Sequence, residues 1–332
     1  MRLGRSSLVA RSANAPSFTS AAIMTVQQTL ISLQSEPAEV RLARALEELD
    51  NERKAVGEIQ RSLLPTSLPE IPGFEMSPYY RPSEHASGDY YDVVPLIDDQ
   101  WGFVMADVSG HGTPAAVIMT VMRTLIHAEL PSNRDKSAGQ FLERVNRVMS
   151  ATYLRDSRFV TVWAAVLDPV SRRLTYSSAG HNPPRLLRAG SVQALDVAVG
   201  LPLGIDPAAT YEDIGVTLEP EDLLVIYTDG ITEAMRPDID SLELFGTERL
   251  DQVLCESGLD PACHCTERVK KAIAAFTNDA APTDDRTMLI LRVGSGCLGA
   301  PNDYRSDEAA GPRGEIQAAR IKDSRRLVVS RE

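Results

Sequence analysis

The first ordered pattern of apolar residues lies between positions 37 and 64. Leu42, Leu46, Leu49, Val56 and Leu63 recur at steps of three, four or seven, which puts them on one face of a helix. Pro37 suits a first helical turn, and Pro65 and Pro69 end the run. The stripe is heptad-like over about three heptads, interrupted by Arg53 and Gln60. Such a seam either packs on the chain's own core or pairs with a second copy. Residues 37–65 are therefore read as a coiled-coil-like linker helix, with a homodimer contact through 37–64 as one outcome.

From about 74 to 293 the pattern alternates between strand and helix periods. Residues 101–108 form a continuous apolar run, the pattern of a buried strand, followed by a Gly-rich turn at 109–112. Thr113 and Pro114 read as N-cap and first helical position. Ala115, Ile118, Met119, Met122, Leu125 and Ile126 give that helix its apolar face. Ser137 with Gln140 is a capping-box start for a second helix, with Phe141, Val145, Val148 and Met149 inward. Strands are expected at 159–167, 173–178, 185–188, 212–218, 223–228 and 287–293, and further helices around 248–254 and 263–276. Antiparallel strands grouped with helices on the sheet faces predict an α+β layered domain over 74–293. Residues 1–36 and 294–332 carry little pattern and are read as disordered tails.

Composition narrows the function. A hydrophobic fraction of 43% supports a sizeable core. The formal net charge of -12 disfavours nucleic acid and anionic lipid as partners. No apolar run approaches the length of about 20 residues that spans a bilayer. The first 22 residues carry Arg2, Arg5 and Arg11, several serines and no acid, a transit-peptide composition without a secretory apolar core. The simpler reading is a tail on a cytoplasmic protein. Cys255, Cys263, Cys265 and Cys297 all lie in the last quarter of the chain, which suggests reduced thiols rather than a disulfide framework. Cys263 and Cys265 are spaced too tightly for the usual zinc pair.

The candidate chemistry is carboxylate. Asp89 and Asp92 lie in Ser87-Gly88-Asp89-Tyr90-Tyr91-Asp92. Asp107 and Asp229 each close an apolar strand just before a glycine-containing turn, and Asp284 and Asp285 immediately precede the last strand. A carboxylate at the end of a buried strand is costly unless it is paired or binds a metal. Any one of these acids could be an ordinary turn residue; four such places in one domain point to convergence. No Gly-x-Ser-x-Gly, phosphate-binding Gly-x-x-x-x-Gly-Lys or His-Glu-x-x-His pattern competes with them. An all-oxygen site favours magnesium or manganese over zinc. Two such ions roughly 4 Å apart can activate a hydroxide and clamp a phosphoryl oxygen.

At these residues the chain resembles a known family. Ile59-Gln60-Arg61-Ser62-Leu63-Leu64-Pro65, Gly88-Asp89-Tyr90-Tyr91-Asp92, Ala106-Asp107-Val108-Ser109-Gly110-His111-Gly112, Ala179-Gly180-His181-Asn182-Pro183, Gly200-Leu201-Pro202-Leu203-Gly204, Tyr227-Thr228-Asp229-Gly230 and Asp284-Asp285-Arg286-Thr287 occur in that order. Together they are similar to the metal-dependent PPM phosphatases (protein phosphatase type 2C) of the bacterial RsbU/SpoIIE branch, over 59–293. Ser87 stands where this branch usually has a second glycine.

The resemblance implies an α/β/β/α sandwich of two antiparallel sheets flanked by helices, and hydrolysis of phosphoserine or phosphothreonine with two Mn²⁺ or Mg²⁺ ions. It implies that Asp107 bridges both metals with the Val108 carbonyl assisting, that Asp229 and Asp284 hold one metal, and that Asp89 orients water on the other. Asp285 is the alternative to Asp284, and Asp92 to Asp89. The attacking group would be a metal-bound hydroxide. Arg81, the nearest arginine upstream of Asp89, is the candidate phosphate ligand, with a surface arginine as the alternative. His111 is read as a turn residue rather than the general acid, and His181 as shaping a loop beside the sheet. The implied substrate is a phosphorylated regulatory protein such as an anti-sigma-factor antagonist. The 36 residues before the linker helix leave no room for a sensor domain, so control is expected from a partner or through dimerisation of 37–64. Two other readings stand beside this one. A non-catalytic binding member of the fold would be expected to have lost its carboxylates. A two-metal cyclase would need a base-recognition signature.

Overall fold

The computed structural model describes residues 37–130, 137–154, 158–197, 199–236 and 243–294, all within the first of two units, Met1–Leu298. The expected tails at 1–36 and from 295 onward lie outside the described residues. Pro37 opens helix α1 (Ala38–Arg61): its carbonyl accepts from the amides of Val40 and Arg41, as a proline ahead of a first turn allows.

Ten strands follow, β1 (Phe74–Arg81), β2 (Tyr90–Pro95), β3 (Trp101–Val108), β4 (Val160–Asp168), β5 (Arg173–Ala179), β6 (Arg185–Arg188), β7 (Ser191–Ala194), β8 (Ile214–Thr217), β9 (Leu223–Tyr227) and β10 (Arg286–Val293). The helices after α1 are α2 (Gly112–Glu129), α3 (Ala138–Thr152), the short α4 (Asp229–Thr232), α5 (Gly246–Ser257) and α6 (Ala262–Thr277). The strands form two five-stranded sheets, ordered β1-β10-β9-β6-β7 and β2-β3-β4-β5-β8, and every paired ladder is antiparallel. Leu224, Ile226, Leu289 and Leu291 of one sheet share a core with Tyr91, Phe103, Met105 and the inner faces of α2 and α3. Tyr227, Met288 and Ile290 turn the other way, onto Leu250 and Leu254 of α5 and Val269 and Ile273 of α6. The layers are therefore helix, sheet, sheet, helix, the sandwich that the α+β pattern and the resemblance implied.

The structure corrects several local expectations. Helix α2 starts at Gly112, with His111 at the N-cap and no side-chain cap, so Thr113 lies inside the first turn. Gly110 and Gly112 adopt φ of +89° and +72°, and this left-handed pair reverses the chain directly into the helix. Strand β7 has no apolar run to announce it and exists as the hairpin partner of β6. Asp229 opens α4 instead of closing β9. At α3, by contrast, Ser137 accepts the amide of Gln140 at 3.0 Å, the cap that its sequence suggested.

Candidate active site

Four carboxylates from both sheets meet at one end of the sandwich. Asp107 is the penultimate residue of β3. Asp89 immediately precedes β2, while Asp229 begins α4 and Asp284 lies two residues before β10. Burial and repulsion from Asp89, Asp229, Asp284 and Asp285 push the Asp107 carboxyl far above the usual carboxylate range. Burial, then the charge of Asp285, raises Asp89. Asp229 is pushed up to about 6 by burial and by Asp284 and Glu233. Asp284 is raised by burial, against the Asp285 amide that donates to its Oδ1 at 2.8 Å.

Asp89 is 1% exposed, and its Oδ2 accepts from Thr228 Oγ1 at 2.8 Å and Thr287 Oγ1 at 2.6 Å. The Thr228 hydroxyl also accepts the Thr287 amide at 3.0 Å. Asp89 on one side of the cleft is thus locked to the ends of β9 and β10 on the other. Sequence reasoning missed both threonines. Their signal was present: each is a hydroxyl at the boundary between an apolar strand and a candidate acid.

The alternatives separate by their partners. Asp285 accepts from the Ser83 amide and hydroxyl at 2.7 and 2.9 Å and from the Gly88 amide at 2.9 Å, so it fixes the loop that carries Asp89. Asp92 accepts from Tyr90 at 2.5 Å and the Val93 amide at 2.8 Å and stands 2.8 Å from His127 of α2. It therefore faces α2 rather than the acid cluster. Gly88 presses on the Val108 carbonyl, where an added Cβ would sit 2.9 Å from the oxygen. His111 lies on the rim, 3.3 Å from Glu84 and 60% exposed. His181 is buried between the sheets, with Nδ1 2.9 Å from the hydroxyl of Thr161, the residue directly across the ladder from Asp107.

On β1, Ser77 bonds Thr266 and Tyr79 lies under Lys270, both on α6, and strand alternation turns Arg81 to that same outer face.

A divalent cation fits the donor set. It is oxygen only, its members repel one another, and among the described residues no arginine or lysine pairs with Asp89, Asp107, Asp229 or Asp284. As placed, no three Asp, Glu, His or Cys among the described residues could grip one ion. Cys255 and Cys263 are exposed and Cys265 is buried, all as free thiols.

Residues 97–294 match the family model of SpoIIE, Stage II sporulation protein E. The phosphoserine phosphatase RsbU of Bacillus subtilis is 28% identical over 254 residues, covering 74% of this chain and 71% of that protein. Protein IcfG of Synechocystis is 26% identical over 258 residues, covering 70% of this chain but 40% of that protein. Among solved structures, the SiaA-PP2C domain of Pseudomonas aeruginosa superposes with a TM-score of 0.66 at 21% identity, over 75% of this chain and 99% of that domain.

Proposed function

Because the chain belongs to the SpoIIE family, in the RsbU/SpoIIE branch of PPM-type phosphatases, we propose that it hydrolyses phosphoserine or phosphothreonine on a protein substrate. Two divalent ions, Mn²⁺ or Mg²⁺, would be held by Asp89, Asp107, Asp229, Asp284 and the Val108 carbonyl. The observation that carries this reading is the set of four mutually repelling carboxylates with no arginine or lysine paired to them among the described residues. When bound, such ions supply a nucleophile at neutral pH and neutralise phosphoryl charge.

The chain's own residues do the rest. Asp107 feels the charge of every other member and is the proposed shared ligand. Asp284 is preferred to Asp285, whose two oxygens are taken by Ser83 and Gly88. Asp89, pinned by Thr228 and Thr287, would orient water. Beside Val108, a hollow of about 270 Å³ opens between the Ser109–His111 turn and α2, with Arg158 at its edge. Sites for drug-sized ligands start at about 300 Å³; this hollow suits one residue flanking a phosphorylated side chain better than a nucleotide.

The substrate class is a phosphorylated regulatory protein, such as an anti-sigma-factor antagonist. No described helix is long and apolar enough to cross a membrane, and free thiols fit a reducing, cytoplasmic setting. The test is hydrolysis of p-nitrophenyl phosphate and of a phosphoserine protein with and without Mn²⁺. Asp107→Asn and Asp229→Asn are each expected to lose at least about 100-fold in kcat/KM. Turnover in excess EDTA, or full activity in both variants, would end the proposal.

A further inference from the structure

Strands β1 and β10 carry two arginines directly opposite one another, Arg81 and Arg286, at the end of the sheet that bears the acid cluster. Both side chains leave the same face. Arg81 follows Ser77 and Tyr79 on the α6 side, and Arg286 follows the alternation of Met288 and Ile290, which pack on α5 and α6. Arg286 is 3% exposed and runs along α4, its Cγ 3.4 Å from the point where a Cβ on Gly230 would lie. Its Nε is sealed from solvent and has no hydrogen-bond partner. Arg81, by contrast, is exposed.

Like charges directly across a ladder repel, and a buried guanidinium without a partner is costly. Acidic residues outnumber basic ones in this chain by 46 to 34, so carboxylates to answer the pair are abundant. Other arginines of the fold have found them: Arg185 holds Asp251, and Arg188 holds Asp222. No described carboxylate answers Arg81 or Arg286.

We propose that Arg81 and Arg286 form an oxyanion-binding site on the outer face of the β1–β10 ladder, beside the acid cluster but outside it. Its ligand is a phosphate, sulfate or carboxylate group gripped between one buried and one exposed guanidinium. The group would come either from a free small anion or from a second acidic side chain on the protein being dephosphorylated. The latter source rests on the phosphatase reading.

Anion binding is measurable without catalysis. In EDTA, at constant ionic strength set with chloride, sulfate is expected to raise the melting temperature of the full chain saturably. Arg81→Gln and Arg286→Gln are each expected to abolish that rise. Arg286→Met, which removes the unpaired charge but keeps the apolar stem, is expected to melt higher than wild type without sulfate and to ignore sulfate. A wild-type chain indifferent to sulfate, or Gln variants that still respond as wild type does, would overturn the site. Arg81 is exposed, so its variant keeps the test open should the Arg286 variants fail to fold. A kinetic arm then identifies the source. If the substrate supplies the anion, Arg81→Gln raises KM for a phosphopeptide with a flanking acidic residue about tenfold more than KM for p-nitrophenyl phosphate. A sulfate response without that difference assigns the site to a free anion. A chain that hydrolyses neither compound defeats the phosphatase reading and leaves the sulfate result standing.

Discussion

His181 stands between the sheets with its backbone tied to the Ser178 hydroxyl and its ring against Thr161. Burial holds its imidazole down to about 4, from an ordinary 6.5, against the opposing pull of the Tyr227 carbonyl. The unfolded chain takes up this proton near the ordinary value and the folded chain only near the lower one. Stability from this residue is therefore complete above the ordinary value and lost as pH falls toward the lower one. At about 1.4 kcal/mol per pK unit, the shift corresponds to on the order of 3 kcal/mol. His181→Gln should flatten the pH dependence of unfolding by about 2 kcal/mol between pH 7 and 5, measured by urea denaturation in EDTA. Parallel curves for the two proteins would refute this assignment. At this scale the sequence showed which residue types mattered and missed how they are held. The position of Asp107 at the end of a buried strand was legible because an apolar run leads straight into it. The different hydrogen-bond partners of Asp284 and Asp285 were not, because adjacent carboxylates differ only in which amides and hydroxyls reach them. Arg81 was placed by its proximity to Asp89 along the chain, whereas the parity of β1 sets the direction in which it points.

Besides its packing on α2, α1 makes polar contacts with the loop before Asp89. Gln60 is buried; its amide nitrogen donates to the Ser87 carbonyl and its Oε1 accepts the Ser87 amide at 2.8 Å. Gly57 lies so close to the His85 carbonyl that a Cβ would collide with it, and Asp50 stands 2.7 Å from the His85 ring. Gln60→Ala would strand two buried backbone groups, at a cost of about 2 kcal/mol or more. It should lower the urea midpoint and weaken the apparent Mn²⁺ affinity by loosening Gly88 and Asp89. Unchanged Mn²⁺ titration in a destabilised variant would separate α1 from the site. Elements with a strong period were legible: β3 spans the apolar run from Trp101 to Val108, and α1 lies within the expected helix. Gln60 read as a break in the heptad stripe and as part of a family-like motif, and its contact with Ser87 was hidden because the two lie 27 residues apart. The start of α2 was misplaced because glycine backbone geometry outweighs the N-cap preference of Thr113.

On the scale of the molecule, α1 leaves Val40, Leu42, Leu46 and Leu49 exposed, with Leu42 at 61% and Leu46 at 58%. A row of leucines in water on a projecting helix is the pattern of a paired helix, and we propose that it joins two copies of the chain. Sedimentation velocity should show a dimer that Leu42→Ser with Leu46→Ser converts to a monomer; a monomeric wild type would discount it. The layered fold was legible because alternating elements leave few ways to bury two sheets. The pairing of the first and last strands was not, since nothing local in Phe74–Arg81 points to Arg286–Val293. That pairing bears on how the protein is made. Asp89 and Asp107 are synthesised early, Asp229 and Asp284 late, and β1 has no ladder partner on its inner side until Val293 has left the ribosome. A nascent chain therefore carries no assembled acid cluster, and contacts this distant in sequence form slowly. On the proposed reading of the four acids, hydrolytic competence would arrive only with the last strand, so that truncated or stalled products would remain silent.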